Sequence, residues 1–177
     1  MAKGLNVLIT QGDQELNDIN LVFNGSQHLE NTRLRSSIDL SRFSGGKTMP
    51  LILLGHANLG RFKESNSSRL RGSEVITLLH RRGLNFASYS FIFLAGCDGA
   101  AGPLYEDIAK AGQLPTLAAT TKVQMTKLGG VGHVTFAPIA GGEWKIYQPD
   151  TGLELSLGDP SCQWYQHPLT MMDITLL

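Results

Sequence analysis

Pro50-Leu-Ile-Leu-Leu-Gly-His56 and Phe91-Ile-Phe-Leu-Ala-Gly-Cys97 share one pattern, a short apolar run closed by a glycine and then by one reactive side chain. Runs this short and this uniformly apolar suit strands buried on both faces. The histidine and the cysteine then fall just past the carboxyl ends of their strands, the edge of an open parallel sheet where ligand sites form. A thiol and an imidazole brought to one sheet edge are the minimum equipment for cysteine nucleophilic catalysis.

The segments around these two strands predict a mixed α/β chain. Residues 5–10 read as an N-terminal strand, and residues 20–23 as a second, joined by the polar stretch Gln11–Ile19. Residues 24–49 lack sustained periodicity and read as mostly loop, with a helical turn near Ser37–Phe43. Residues 57–72 read as a polar connection. Ser73–Gly83 reads as a helix, with Ser73 as cap, apolar positions 75, 76, 78 and 79 on one side, a basic last turn and Gly83 as its stop. Pro103–Ala111 is a second helix ending at Gly112, and Leu114–Ala119 a third buried strand. Strand–helix–strand–helix–strand order implies right-handed crossovers and a mostly parallel sheet with helices on both faces, a three-layer α/β/α sandwich. His133–Ala137 and Glu143–Tyr147 read as a C-terminal hairpin across 138–142. The expected organisation is one domain over 1–177: N-terminal strands and loop to 49, a core over 50–120, and a hairpin and tail over 121–177.

Composition limits the function classes. The 177 residues are 42% hydrophobic and 17% charged, enough apolar content for a real core and too much for wholesale disorder. No apolar stretch approaches the ~20 residues needed to span a bilayer, and the N-terminal apolar run is too short for a secretory signal. Cys97 and Cys162 make no disulfide framework, which fits a reducing cytoplasm or secretion without a classical signal. Net charge is zero, yet residues 33–82 hold ten basic residues against three acidic, a surplus of seven. That surplus is either a solvated face balanced elsewhere or a docking surface for a polyanion, with Arg69, Arg71, Arg81 and Arg82 as candidate ligands. No nucleic-acid-binding motif accompanies it.

Chemistry concentrates on His56 and Cys97, forty-one residues apart. If a helix begins close after Cys97, its N-terminal amides favour the thiolate. His56 can serve as base toward the thiol and acid toward a leaving amine. The backbone amides of Ala57 and Cys97 are the natural oxyanion donors. Taken alone, Cys97 could be an inert buried thiol and His56 a surface loop histidine. Asp98 is either a substrate-pocket carboxylate, favouring a basic side chain at the cleaved residue, or the cap of the next helix. A phosphatase loop would need arginine at 103, where the chain has proline. A Cys-x-x-Cys redox pair would need cysteine at 100, where it has alanine. Structural zinc would need more ligands than Cys97 offers, and His28, His80, His133 and His167 lack ligand spacing. Lys127–His133 is rich in glycine but lacks the ending of a phosphate loop and reads as a flexible connection. Trp144 and Trp164 read as core or cover residues.

Leu-Leu-Gly-His at 53–56 and Leu-Ala-Gly-Cys at 94–97 resemble the His and Cys strands of the caspase-like (clan CD) cysteine peptidases. With Ser-Ser-Arg-Leu-Arg-Gly at 67–72 and Gly-Glu-Trp at 142–144, their order is similar to the self-processing cysteine protease domains of RTX and clostridial glucosylating bacterial toxins. The similarity spans roughly residues 50–147 and is specific at the His and Cys strands. It implies a cysteine endopeptidase with Cys97 as nucleophile, His56 as partner and no required third acid. The substrate would be a peptide or protein, including its own polypeptide in a toxin or effector. No cofactor is required, although inositol hexakisphosphate activates the toxin domains. Their activator is gripped largely by a C-terminal flap, whereas residues 120–150 here hold only Lys122, Lys127 and Lys145, so the basic residues before position 83 would do most of that work. The family usually has glycine after the histidine, where this chain has Ala57. Two other readings stand beside the peptidase: a catalytically degenerate caspase-like binding or scaffold module, and a Cys–His acyltransferase or deamidase.

Overall fold

Leu51–Leu54 and Phe91–Ala95 are all fully buried, as expected for strands covered on both faces. The computed structural model describes residues 2–58, 60–127, 134–158 and 162–164. In chain order its elements are β1 (Gly4–Leu8), α1 (Gln14–Val22), β2 (Leu29–Arg33), β3 (Gly46–Leu54), β4 (Ala57–Asn58), β5 (Arg61–Ser65), β6 (Ser68–Arg71), α2 (Gly72–Arg81), β7 (Tyr89–Ala95), α3 (Leu104–Gly112), β8 (Thr116–Ala119), β9 (Val123–Lys127), β10 (Val134–Pro138), β11 (Trp144–Tyr147), β12 (Glu154–Gly158) and β13 (Cys162–Trp164).

Seven strands form the central sheet in the order β12-β11-β8-β7-β3-β1-β2. The pairs from β8 through β7, β3 and β1 to β2 are parallel, and β11 and β12 add an antiparallel edge. Alternate residues of the strands feed two apolar cores. Leu5, Val7, Leu51, Leu53, Ile92 and Leu94 pack with Val75, Ile76 and Leu79 of α2 and with Leu104 and Ile108 of α3. Leu8, Ile52, Leu54, Phe91 and Phe93 pack instead with Leu16 and Ile19 of α1 and with Phe136 and Trp144. Helices therefore cover both faces, and β9–β10 share the second face with α1. The mixed α/β class with a mostly parallel sheet is as the sequence predicts.

Several local expectations are corrected. Residues 20–23 are not a strand but the end of α1 and its cap. The Asp13 carboxylate accepts the Leu16 N–H at 2.9 Å, and Leu16, Ile19 and Phe23 recur at helical spacing against the sheet. The supposed loop 24–49 contains β2, in which only Leu29 and Thr32 are buried, and the first residues of β3. As an edge strand, β2 shows too little apolar alternation to be read from sequence. The helical turn near 37–43 is a single 3-10 turn, Leu40–Arg42, capped by Asp39. Residues 57–71 hold a three-stranded antiparallel meander, β4-β5-β6, in which Phe62 is the one fully buried side chain among the described residues. α2 begins at Gly72, and Glu74 accepts the Arg71 N–H at 3.1 Å, so Ser73 is not the cap.

The hairpin pairing also differs. β10 pairs with β9 in a small sheet, whereas β11 enters the central sheet between β8 and β12. Burial of Trp144 and Ile146 against Phe93 and Leu117 draws β11 there. Trp144 is core, as expected. The glycine-rich residues 128–133, His167 and the side chains of Cys162 and Trp164 lie outside what is described. Among the described residues no helix is long and apolar enough to cross a membrane.

Candidate active site

The parallel neighbours β1, β3 and β7 end at one edge. Their last register partners are Leu8, Leu54 and Ala95. The ladders run one step further, with Ile9 N–H donating to Leu54 O at 2.8 Å and Gly55 N–H to Ala95 O at 3.1 Å. One residue beyond that step, Thr10, His56 and Cys97 follow their strands at the same level. Two residues predicted from separate runs are thus carried by adjacent strands.

Close approach at this edge requires both strand-closing glycines. A Cβ on Gly96 would lie 2.8 Å from the Gly55 carbonyl oxygen, a backbone atom with little room to retreat. A Cβ on Gly55 would lie 2.5 Å from Thr10 Oγ1 and inside the edge of the Phe62 ring. No larger residue fits either position without moving the strands that carry the histidine and the cysteine.

His56 is anchored at two points. Its backbone N–H donates to Thr10 Oγ1 at 2.9 Å, and the same hydroxyl donates to the Lys63 carbonyl at 2.5 Å. Its ring Nε2 lies 2.7 Å from Asp13 Oδ2, with both side chains partly exposed. The Leu16 N–H first, and then the His56 ring, hold the Asp13 carboxyl below its ordinary value of 3.8. An ionised carboxylate only accepts, so Nε2 carries the hydrogen and Nδ1 is left for other chemistry. Asp13 was not anticipated, since the resemblance required no third acid. Its sequence signal is a Gly-Asp step between an apolar strand and a helix, hidden because residues 11–23 read in sequence as a polar connection and a strand.

The half-buried Cys97 begins the loop after β7, and its Sγ accepts the Val123 N–H at 3.4 Å. Asp98 N–H donates to Thr121 O at 2.8 Å and Ala100 N–H to Ala119 O at 2.8 Å, tying this loop to the end of β8 and the link that leads into β9. The helix expected over Pro103–Ala111 is α3, Leu104–Gly112, and it starts too far along the chain to meet the condition that a helix begin close after Cys97. Neither does Asp98 cap it: Pro103 holds that position and no side chain caps the helix. Asp98 instead adopts a left-handed φ of 55° and lines a cavity with Asn58, Ala101, Gly102 and Pro103.

Ala57 faces Phe62 across the meander. The neighbouring pair is bridged by Lys63 N–H donating to His56 O at 2.8 Å, so by antiparallel alternation the Ala57 amide points away from β5. The Ala57 nitrogen lies 3.6 Å from where a Gly96 Cβ would stand, next to the residue before Cys97.

The four arginines proposed for a polyanion do not converge on one cavity. Arg69, Arg71 and Arg81 are exposed on β6 and α2. Arg81 opens on a groove shared with Glu64 and Glu74, and Arg82 on another shared with Arg35 and Glu64. The Arg82 guanidinium donates to the Ser36 carbonyl, a structural bond. Among the described residues no three His, Cys, Asp or Glu side chains gather as a metal-ligand set. No family model, curated protein or solved structure matches this chain.

The Asp13 contact has a pH consequence. A carboxyl whose folded-state value is depressed contributes stability that is present above its unfolded value and lost as pH falls through the folded one. Acid titration of the wild type is expected to lose this contribution below about pH 4. Asp13→Asn should be less stable at neutral pH and should show a shallower acid decline. Parallel urea melts between pH 3 and 7 check this, and identical pH slopes would refute it.

Proposed function

We propose that this protein is a cysteine endopeptidase in which Cys97 attacks and His56 moves the proton. The observation that carries the reading is the common level of His56 and Cys97 past two adjacent parallel strands, with the His56 ring held by Asp13. The Cys97 thiol proton passes to His56 Nδ1 while the sulfur bonds to the substrate carbonyl carbon. The carbonyl oxygen takes the negative charge beside the amides of Ala57 and Cys97. Collapse breaks the C–N bond, and His56 returns the proton to the departing amine, leaving a thioester on Cys97. Water then attacks that thioester, with His56 as base, releasing the carboxylic acid and restoring the thiol. Asp13 fixes the tautomer and steadies the imidazolium. Peptide segments are the substrate, the chain's own polypeptide among them.

Thiol-directed peptide probes followed by intact mass test this. One adduct, mapped to Cys97 and lost in Cys97→Ser, is the expected result. Failure of every probe to label Cys97 faster than a free thiol would replace the peptidase with the scaffold reading, which alanine rather than glycine at position 57 favours.

A further inference from the structure

We infer that the enzyme cleaves after lysine or arginine, with Asp98 receiving the side-chain cation; this rests on the peptidase reading above. A cavity of about 440 Å3 lies between the strand end at Asn58 and the loop that follows Cys97. Among the described residues it is lined by Asn58, Asp98, Ala101, Gly102 and Pro103, and Asp98 is the ionisable one of these. Asp98 directly follows Cys97 in the chain, which puts the cavity next to the proposed nucleophile. On the peptidase reading we assign it to the P1 side chain, the one nearest the carbonyl that Cys97 attacks.

The cavity suits a long side chain with a cationic end. Ala101 and Pro103 supply apolar wall for a methylene stem, and Asp98 and Asn58 supply oxygens for an ammonium or guanidinium head. Among the described residues the Asp98 carboxylate has no ion-pair or hydrogen-bond partner, and neither does the Asn58 side chain. Both remain available to a ligand. The Asp98 backbone is nevertheless fixed, since its N–H donates to Thr121 O at 2.8 Å and its carbonyl accepts from Ala101 N–H at 3.2 Å. Holding a non-glycine residue at φ 55° takes such surroundings, and strain of this kind gathers at ligand clamps. An aspartate at P1 would meet like charge, and a leucine would leave the carboxylate desolvated and unpaired.

The test uses acyloxymethyl ketone peptides identical except at P1, with lysine, arginine, leucine or aspartate, and reads the rate of Cys97 labelling by intact mass. The lysine and arginine probes are expected to label at least about tenfold faster than the leucine probe, and aspartate slowest. Asp98→Asn should lower the basic-over-leucine ratio by about ten- to a hundredfold, and Asp98→Glu should retain part of it. Circular dichroism on each variant separates a changed pocket from a failed fold. Fastest labelling by leucine or aspartate, or a ratio unmoved in folded Asp98→Asn, overturns the inference while the peptidase stands. If no probe labels the wild type, both fall together.

Discussion

His56→Ala is expected to lower the kcat/KM for peptide hydrolysis by about 10²–10⁴-fold, the range for loss of a positioned general acid–base. Among the described residues no second histidine follows the strands beside Cys97; His80 is exposed on α2. With the ring gone, Thr10 still accepts the residue-56 N–H and Asp13 still caps α1 through Leu16, so the strand ends have reason to stay in place. The loss should therefore be chemical rather than structural. Two measurements establish that: a urea midpoint lowered by no more than in Asp13→Asn, and partial recovery of turnover with added imidazole, which can occupy the vacated space. Retention of more than a tenth of wild-type activity by His56→Ala would remove His56 from the mechanism. Asp13→Asn, which keeps the imidazole but removes the carboxylate that orients and steadies it, should lose less.

Trp144→Ala carries the largest expected cost in stability. The indole is 1% exposed, tilted against Phe93 at 5.3 Å, in a cluster with Phe136, Ile146 and Leu117. Phe93 in turn meets Phe136 edge-on at 5.5 Å, so one deletion loosens the joint between the central sheet and the β9–β10 layer. Truncating a buried tryptophan costs about 3–5 kcal/mol, including the cavity left behind. A domain whose total stability is about 5–15 kcal/mol loses a large fraction of it. Urea unfolding should show a lower midpoint at unchanged slope, and Trp144→Phe should lose less. A midpoint shift equivalent to under ~1 kcal/mol would mean that the cluster repacks around the gap.

The residues that were legible in the sequence are those whose burial is complete. β3, β7 and β8 are apolar on both faces, so their strand character shows without knowledge of their neighbours, and His56 and Cys97 follow from them. α2 and α3 were legible because their apolar residues fall on one side and their ends carry stop signals. β2 and the β4-β5-β6 meander were not, because an edge strand and a surface sheet bury too few side chains to leave a periodic mark. The pairing of β11 was hidden for another reason: a four-residue strand carries no information about its partner. Asp13 stayed hidden because its importance lies in distance to His56, a relation between positions 13 and 56 that neither local pattern contains. For Asp98 the sequence leaves two alternatives, pocket carboxylate or helix cap, and the start of α3 at Leu104 removes the second.

Thr10, His56 and Cys97 share a level only after β1, β3 and β7 have paired side by side, across chain separations of more than forty residues each. Contacts that distant in sequence form late and slowly, since each must first close a long loop. A chain emerging from the ribosome exposes Asp13 and His56 well before the strand that bears the cysteine. On the proposed peptidase reading, reactivity would thereby be a property of the finished sheet, and a half-made or unfolded copy would hold an ordinary thiol. Topology would then act as the safety catch during synthesis.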